Sequence, residues 1–234
     1  MPGNSHQPHD KNIVGREVRE VAWDALASDP TVGLSIVDED ARTLFCNARA
    51  AEYYIGPGAT PEQCFGFGWA SNLPAKALEL RKEILAKVKA QNGPMVVRTI
   101  LAGKQIYAVI YPIPSHNGEK MQFVHILRSI PGGATEYFKS MPVIETEEID
   151  LGPLNVLSPR ELEVLALVGQ NLSSKEIGAI LHRSEKTVEN HRYSISKKLE
   201  GASAVELAAI ARQAGLTLKD ATRRKFKRRG PSGS

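Results

Sequence analysis

Three times between residues 158 and 206 a serine is followed three positions later by glutamate, just ahead of an apolar periodic run. The pairs are Ser158 with Glu161, Ser173 with Glu176 and Ser203 with Glu206. Each is a capping box, in which the serine oxygen accepts the third helical amide and the glutamate reaches back to the cap amide. Pro159 occupies a first helical position, where its missing N–H costs nothing. Ser184 ahead of Glu185 marks a fourth start. The spacing predicts helices near 159–169, 174–181, 185–199 and 204–214. Only His182, Arg183 and Ser184 separate the second from the third. A connection that short between amphipathic helices is a helix-turn-helix signal.

In that motif the second helix lies in the major groove of DNA and its outward side chains read base edges. Placed at about 100° per residue, Val188, Ile195 and Leu199 share one stripe, which must face inward. The opposite side carries Lys186, Asn190, Tyr193 and Lys197, with Thr187 and Glu189 at the flanks. Amide, phenol and ammonium groups suit hydrogen bonding to bases and phosphates. The solvated face of a plain helical bundle has the same pattern, so periodicity leaves both readings open.

With 234 residues, 42% hydrophobic and 24% charged, the chain has room for one large soluble domain or two modest ones. Its most apolar stretch, Tyr107 to Pro114, falls far short of the roughly 18 residues a membrane span needs. The opening MPGNSHQPHDKN has no apolar core of a secretory signal. Two cysteines, Cys46 and Cys64, make neither a disulfide framework nor a four-cysteine zinc site. A cytoplasmic protein with no membrane partner is expected. Its charge is uneven: residues 1–151 carry 15 basic and 18 acidic side chains, and 152–234 carry 15 and 8. Most of the basic excess lies in 219–229, where seven Lys and Arg face Asp220 alone, a net of +6. Such an end suits a polyanion such as nucleic acid, and equally suits a solvated disordered tail.

Upstream, Ile13, Val14, Val18, Val21, Ala22, Ala25 and Leu26 recur at helical intervals over 12–28. Strand-like runs follow at Leu34–Val37 and Thr43–Cys46, separated by Asp38-Glu39-Asp40, then a helical stretch at Ala48–Tyr54 and a longer one over 73–91. Three more strands are expected at Met95–Leu101, Gln105–Ile113 and Met121–Ile130. Their turns, Ala102-Gly103-Lys104 and Ser115-His116-Asn117-Gly118, have hairpin chemistry. Residues 132–156 are rich in Gly, Pro and acidic side chains and read as a linker. The fold class is α+β: an antiparallel-sheet domain, then an all-α four-helix domain.

The segment DPTVGLSIVDEDARTLFCNARAAEYYIG resembles the opening of a PAS domain. It has Pro and Gly before the first strand, Asp after it, and Asn47-Ala48 opening a helix that ends at Gly56. PAS sequences usually carry glycine in the first hairpin turn, where this chain has Ala41. The resemblance spans roughly 20–131 and implies a sensory or dimerising unit that takes a small-molecule ligand. More specific is LSPRELEVLALVGQNLSSKEIGAILHRSEKTVENHRYSISKKL, which is similar to the DNA-binding domain of LuxR-type transcription regulators. The family's Leu-Ser/Thr-x-Arg-Glu-x-Glu-Val-Leu appears as Leu157 to Leu165. Its Ser-x-Lys-Glu-Ile is Ser173 to Ile177, and its Thr-Val-x-x-His is Thr187, Val188 and His191; Ile195 and Lys198-Leu199 complete the pattern. By this resemblance Glu189, Asn190 and Tyr193 take base-reading positions, and Lys175 and Lys198 sit where phosphates are contacted. Asn171, His182 and Glu200 stand where the family has glycine. Asparagine and histidine tolerate the left-handed conformation better than glutamate does, so Gly201 is expected to take over the last cap.

The domain plan is an N-terminal extension over 1–19, a PAS-like sensory domain over 20–131, a linker over 132–156, a LuxR-type domain over 157–218 and a basic disordered tail over 219–234. The expected function is sequence-specific DNA binding by a homodimer, with RNA polymerase a further partner implied by the class. Two competitors are a sigma-factor-like promoter-binding protein and a PAS interaction protein whose helical domain only dimerises. No nucleophile motif, Walker lysine loop or His/Cys pairing indicates an enzyme. The histidines show no metal-ligand spacing, His116 and His125 lie off the helix where haem-binding PAS domains usually place their ligand, and no flavin-cysteine signature surrounds Cys64. No cofactor is named by the sequence.

Overall fold

The computed structural model describes residues 15–68, 70–114, 120–130, 138 and 140–226. Helix α1 (Arg16–Ser28) leads into β1 (Gly33–Asp38), β2 (Thr43–Cys46), α2 (Ala48–Tyr54) and α3 (Ala75–Gln91). Strands β3 (Met95–Leu101), β4 (Lys104–Ile113) and β5 (Gln122–Arg128) complete the antiparallel set. The sheet order is β2-β1-β5-β4-β3, with a sixth strand beyond β3. The expected α+β architecture is present. The hairpin Ser115–Gly118 and the start of the first helix at 12–14 lie outside the described residues.

Local chemistry explains the junctions. Asn47 accepts from the Ala50 amide at 2.9 Å, which starts α2, and from the Leu34 amide at 2.9 Å. Its Nδ2 donates to the carbonyls of Ala27 and Val32. One side chain thus joins the end of α1, the start of β1 and the cap of α2. Ala41 takes φ 65°, so the turn keeps its left-handed geometry without glycine. The β3–β4 turn puts Ala102 and Gly103 at φ 49° and 78°, the two positive angles a type I′ hairpin requires.

Alternation along β3 and β4 divides the sheet into two faces, and both are buried. Val97, Ala108 and Ile110 join the cluster built on Tyr54, Ile84, Leu85 and Val88 of α2 and α3. From the opposite face Ile100 joins the core of the C-terminal helices. A sheet with one solvated face shows polar residues at alternate positions; here Arg98 and Gln105 are polar yet nearly inaccessible, because the C-terminal unit packs on them.

The segment read as a linker, 132–156, takes part in both sheets where it is described. Strand β6 (Val143–Glu145) runs parallel to β3, and the Thr146 and Asp150 amides continue the ladder to the carbonyls of Arg98 and Ile100. Strand β7 (Glu148–Ile149) pairs in parallel with β8 (Arg224–Lys225). The expectation of a disordered tail fails over 219–226. Leu218–Thr222 form a 3₁₀ turn before β8, and Phe226 packs against the N-terminal core. The physical reason is that the lone acid and lone aromatic of this basic run find partners far away in sequence. Asp220, fully buried, takes a bidentate pair from Arg98 at 3.0 and 2.6 Å. Residues 227–234 lie outside the described residues.

Candidate nucleic-acid interface

The four C-terminal helices are α4 (Pro159–Val168), α5 (Ser174–Leu181), α6 (Glu185–Lys198) and α7 (Ala204–Ala214). All three capping boxes form, with Ser158, Ser173 and Ser203 as caps, and Ser184 caps α6 through the Thr187 amide. Between α5 and α6 the chain turns in three residues. His182 sits at φ 54° and the Arg183 amide closes on the Gly178 carbonyl at 2.8 Å. A Cβ on Gly178 would stand 2.7 Å from the Arg183 carbonyl oxygen, so only glycine fits there. Arg160 straps the pair to α4, reaching Glu163 at 2.6 Å and the Leu181 carbonyl at 2.9 Å.

Val188 and Ile195 are fully buried beneath α6. That pins the opposite stripe outward. Lys186, Glu189, Asn190, Tyr193 and Lys197 are all exposed, Tyr193 to 73%. Thr187 is half-buried and shares a 2.8 Å hydroxyl contact with Ser184. Lys186 and Glu189 form an exposed pair at 3.2 Å, and Lys175 is exposed in the first turn of α5.

Lys198 is placed differently from the rest of the expected set. Its Nζ donates to Glu161 at 2.7 Å, and Glu161 also accepts from the Ser194 hydroxyl and the Ser158 amide. Burial opposes the charge of Glu161, but these three groups and the Ser158 hydroxyl overcome it and hold its carboxyl at about 2. The glutamate that the capping pattern marks only as a helix start is also the peg that seats α6 on α4. The available signal was the four-residue spacing of Ser194 and Lys198, which puts both on one flank of α6.

The end of α6 also departs from expectation. Glu200 itself is left-handed, at φ 60°, and Gly201 follows at φ 80°. The Gly201 amide reaches back to the Ser196 carbonyl at 2.9 Å. Asn171, at φ 62°, accommodates the third family glycine position.

A second candidate site lies inside the N-terminal unit. A cavity of about 100 Å³ separates α3 from the sheet and is lined mainly by apolar side chains. His125 of β5 reaches it with a buried Nε2 that has no hydrogen-bond partner. Burial and the nearby Arg81 push its imidazole down to about 3, so the ring is neutral at pH 7. Among the described residues no group of His, Cys, Asp and Glu could hold a metal ion. No described helix is long and apolar enough to cross a membrane.

A tight-turned helix pair whose second helix shows a polar outer face has the geometry of a helix-turn-helix unit. Residues 155–211 match the family model for bacterial regulatory proteins, luxR family. The C-terminal unit is therefore a LuxR-type DNA-binding domain. The chain is 44% identical over 62 residues to the uncharacterized response regulatory protein YgeK of Escherichia coli K12, covering 26% of this chain and 42% of that one. It is 26% identical to the response regulator UvrY of the same strain over 215 residues, 88% of this chain and 92% of UvrY. With the virulence regulator BvgA of Bordetella pertussis it shares 32% over 100 residues, 41% of this chain and 47% of BvgA. The chain thus spans less than half of YgeK and BvgA. Among solved structures, the Vibrio cholerae VqmA dimer is similar over 90% of this chain and 95% of its own, with 16% identity and a TM-score of 0.41. The PAS domain of Bordetella pertussis BvgS is similar over 53% of this chain and 93% of its own, with 16% identity and a TM-score of 0.37.

Proposed function

We propose that the chain is a cytoplasmic, homodimeric transcription regulator that binds a specific DNA site. Its PAS-like unit, roughly 20–131, takes a small-molecule signal and its LuxR-type unit, roughly 157–218, reads the major groove. The observation that carries this reading is the outward stripe of α6, held in place by buried Val188 and Ile195. In this reading Glu189, Asn190 and Tyr193 meet base edges, Thr187 supports the helix start, and Lys175, Lys186 and Lys197 meet phosphates. Lys198 contributes first by seating α6 through Glu161, and its phosphate contact is secondary. The sigma-factor and interaction-only alternatives find less support, since the domain matches the luxR family and its polar face is left uncovered.

Site selection followed by gel-shift titration of the full chain tests this. Asn190→Ala and Tyr193→Ala should each weaken the selected site by about 1–3 kcal/mol and leave random DNA almost unchanged. Lys175→Ala should weaken all sequences alike and lower the salt slope by about one unit. Equal loss on selected and random DNA for Asn190→Ala would remove it from the base-reading set. For assembly, α1 leaves Val18 and Val21 59% and 68% exposed, and Val205 of α7 is exposed to 78%. Light scattering should give a dimer on a two-fold site with half-sites about one helical turn apart; one chain per site refutes the dimer.

A further inference from the structure

The sensor cavity has a lining residue that comes from the far end of the chain. Phe226 borders the same space as His125 and packs against the N-terminal core. About 100 Å³ remain beside it, less than the roughly 150 Å³ of an engineered apolar cavity that holds benzene. An aromatic ligand fits only where the Phe226 ring now stands. The hold on that ring is slight. Strand β8 has two residues, the Phe226 amide donates to the Ile149 carbonyl at 3.1 Å, and Arg224 meets Glu148 at 3.0 Å from an exposed position. Short, partly solvated elements open locally at little cost. Asp220, by contrast, is locked to Arg98 upstream and to Arg223, so an opening confined to 224–226 leaves the rest of the C-terminal unit docked.

Resting on the small-molecule reading above, we propose that Phe226 is a built-in occupant of the sensor cavity, and that a small neutral aromatic ligand with one hydrogen-bonding group competes with it. The ligand class follows from the lining. Leu80, Ile84 and Ile110 ask for an apolar body. The buried, unpartnered His125 Nε2 asks for one polar group, and a neutral imidazole does not call for an anion. The cation nearby is already engaged, since Arg81 lies over the Tyr54 ring at 5.6 Å. Ligand entry undocks β8. That frees Lys225 from the Leu157 carbonyl, 3.1 Å away and one residue before the cap of α4. Cavity occupancy and DNA affinity are then linked through one aromatic side chain.

Indole, a neutral ring with a single N–H donor, is a suitable probe. Calorimetry on the full-length wild type and Phe226→Ala should show at least tenfold tighter indole binding to the variant. In wild type, saturating indole should speed hydrogen exchange of the peptide containing Phe226 at least tenfold, towards the rate of Phe226→Ala without ligand. A chain ending at Lys225 serves as the second variant should Phe226→Ala fail to fold, and it should bind as tightly. Equal affinity of wild type and both variants, or exchange unchanged by bound indole, overturns the competition and leaves the cavity as a receptor. Binding to none of them overturns both the competition and the receptor reading. DNA affinity of wild type with and without saturating indole tests the link to the cavity, and an affinity unchanged by bound indole overturns it; the base-reading variant Asn190→Ala, read separately without indole, bears only on the α6 interface.

Discussion

Glu200 adopts a left-handed conformation at φ 60°, although a side chain with a Cβ is penalised there by about 1–2 kcal/mol. Part of that penalty returns as lost entropy when glycine is substituted, because glycine has more freedom to lose on folding. Glu200→Gly should therefore stabilise the protein by about 0.5–1 kcal/mol, read as a higher urea midpoint at unchanged slope. A lower midpoint contradicts the strain. His125 makes a second prediction. Its folded pKa, pushed by burial and Arg81 to about 3, lies below the ordinary histidine value near 6.5. The unfolded chain then binds the extra proton between those values. Stability falls as pH drops below about 6.5, with a slope approaching 1.4 kcal/mol per pH unit from this group. Stability measured from pH 7.5 to 4.5 should decline more steeply for wild type than for His125→Gln; parallel curves would show that His125 titrates normally.

At the scale of elements, the helices of the C-terminal unit are legible to within about a residue because their caps are local chemistry. Ser158, Ser173, Ser184 and Ser203 each bond an amide three positions on. The outward stripe of α6 was legible for the same reason, since one turn of helix repeats it. The short strands were not. β7 and β8 owe their existence to each other across 76 residues between Glu148 and Arg224, and neither two-residue run carries a pattern of its own. The Lys198–Glu161 pair was hidden because the capping motif already accounted for the glutamate. Arg98, in a strand, likewise gave no hint of Asp220, 122 residues on. Removing one member of a buried ion pair costs about 3–5 kcal/mol. Arg98→Leu should sit near the low end, because Arg223 and the Thr217 amide still serve Asp220. Denaturant unfolding should also separate into two transitions as the C-terminal unit loosens from the sheet. A single transition at the wild-type midpoint would mean that the pair does not couple the units.

For the whole molecule, the uneven charge is partly spent inside it. Arg223 and Arg224 pair with Asp220 and Glu148, so fewer basic groups are left for DNA than the sequence count implies. Cutting the chain after Leu218 would remove this packing with the charge. Cutting after Phe226 leaves this packing in place and removes residues 227–234, in which Lys227, Arg228 and Arg229 carry all the charged side chains. With about 0.9 counterions released per phosphate neutralised, that truncation should flatten the slope of log affinity against log salt by up to about three units. The preference for the specific site should stay intact. An unchanged slope would show that these three residues do not touch the duplex.

The pairing of Arg98 with Asp220 also sets an order of events during synthesis. Arg98 leaves the ribosome 122 residues ahead of its partner, an interval of roughly 6–24 seconds at typical bacterial elongation rates. Until Asp220 is made, the far face of the sheet presents a guanidinium whose other acid, Glu145, stands 4.0 Å away, together with the apolar Ile100. Translation past residue 220 therefore supplies the group that finishes the first domain, and a message broken before that codon yields a nascent chain with an unsealed face.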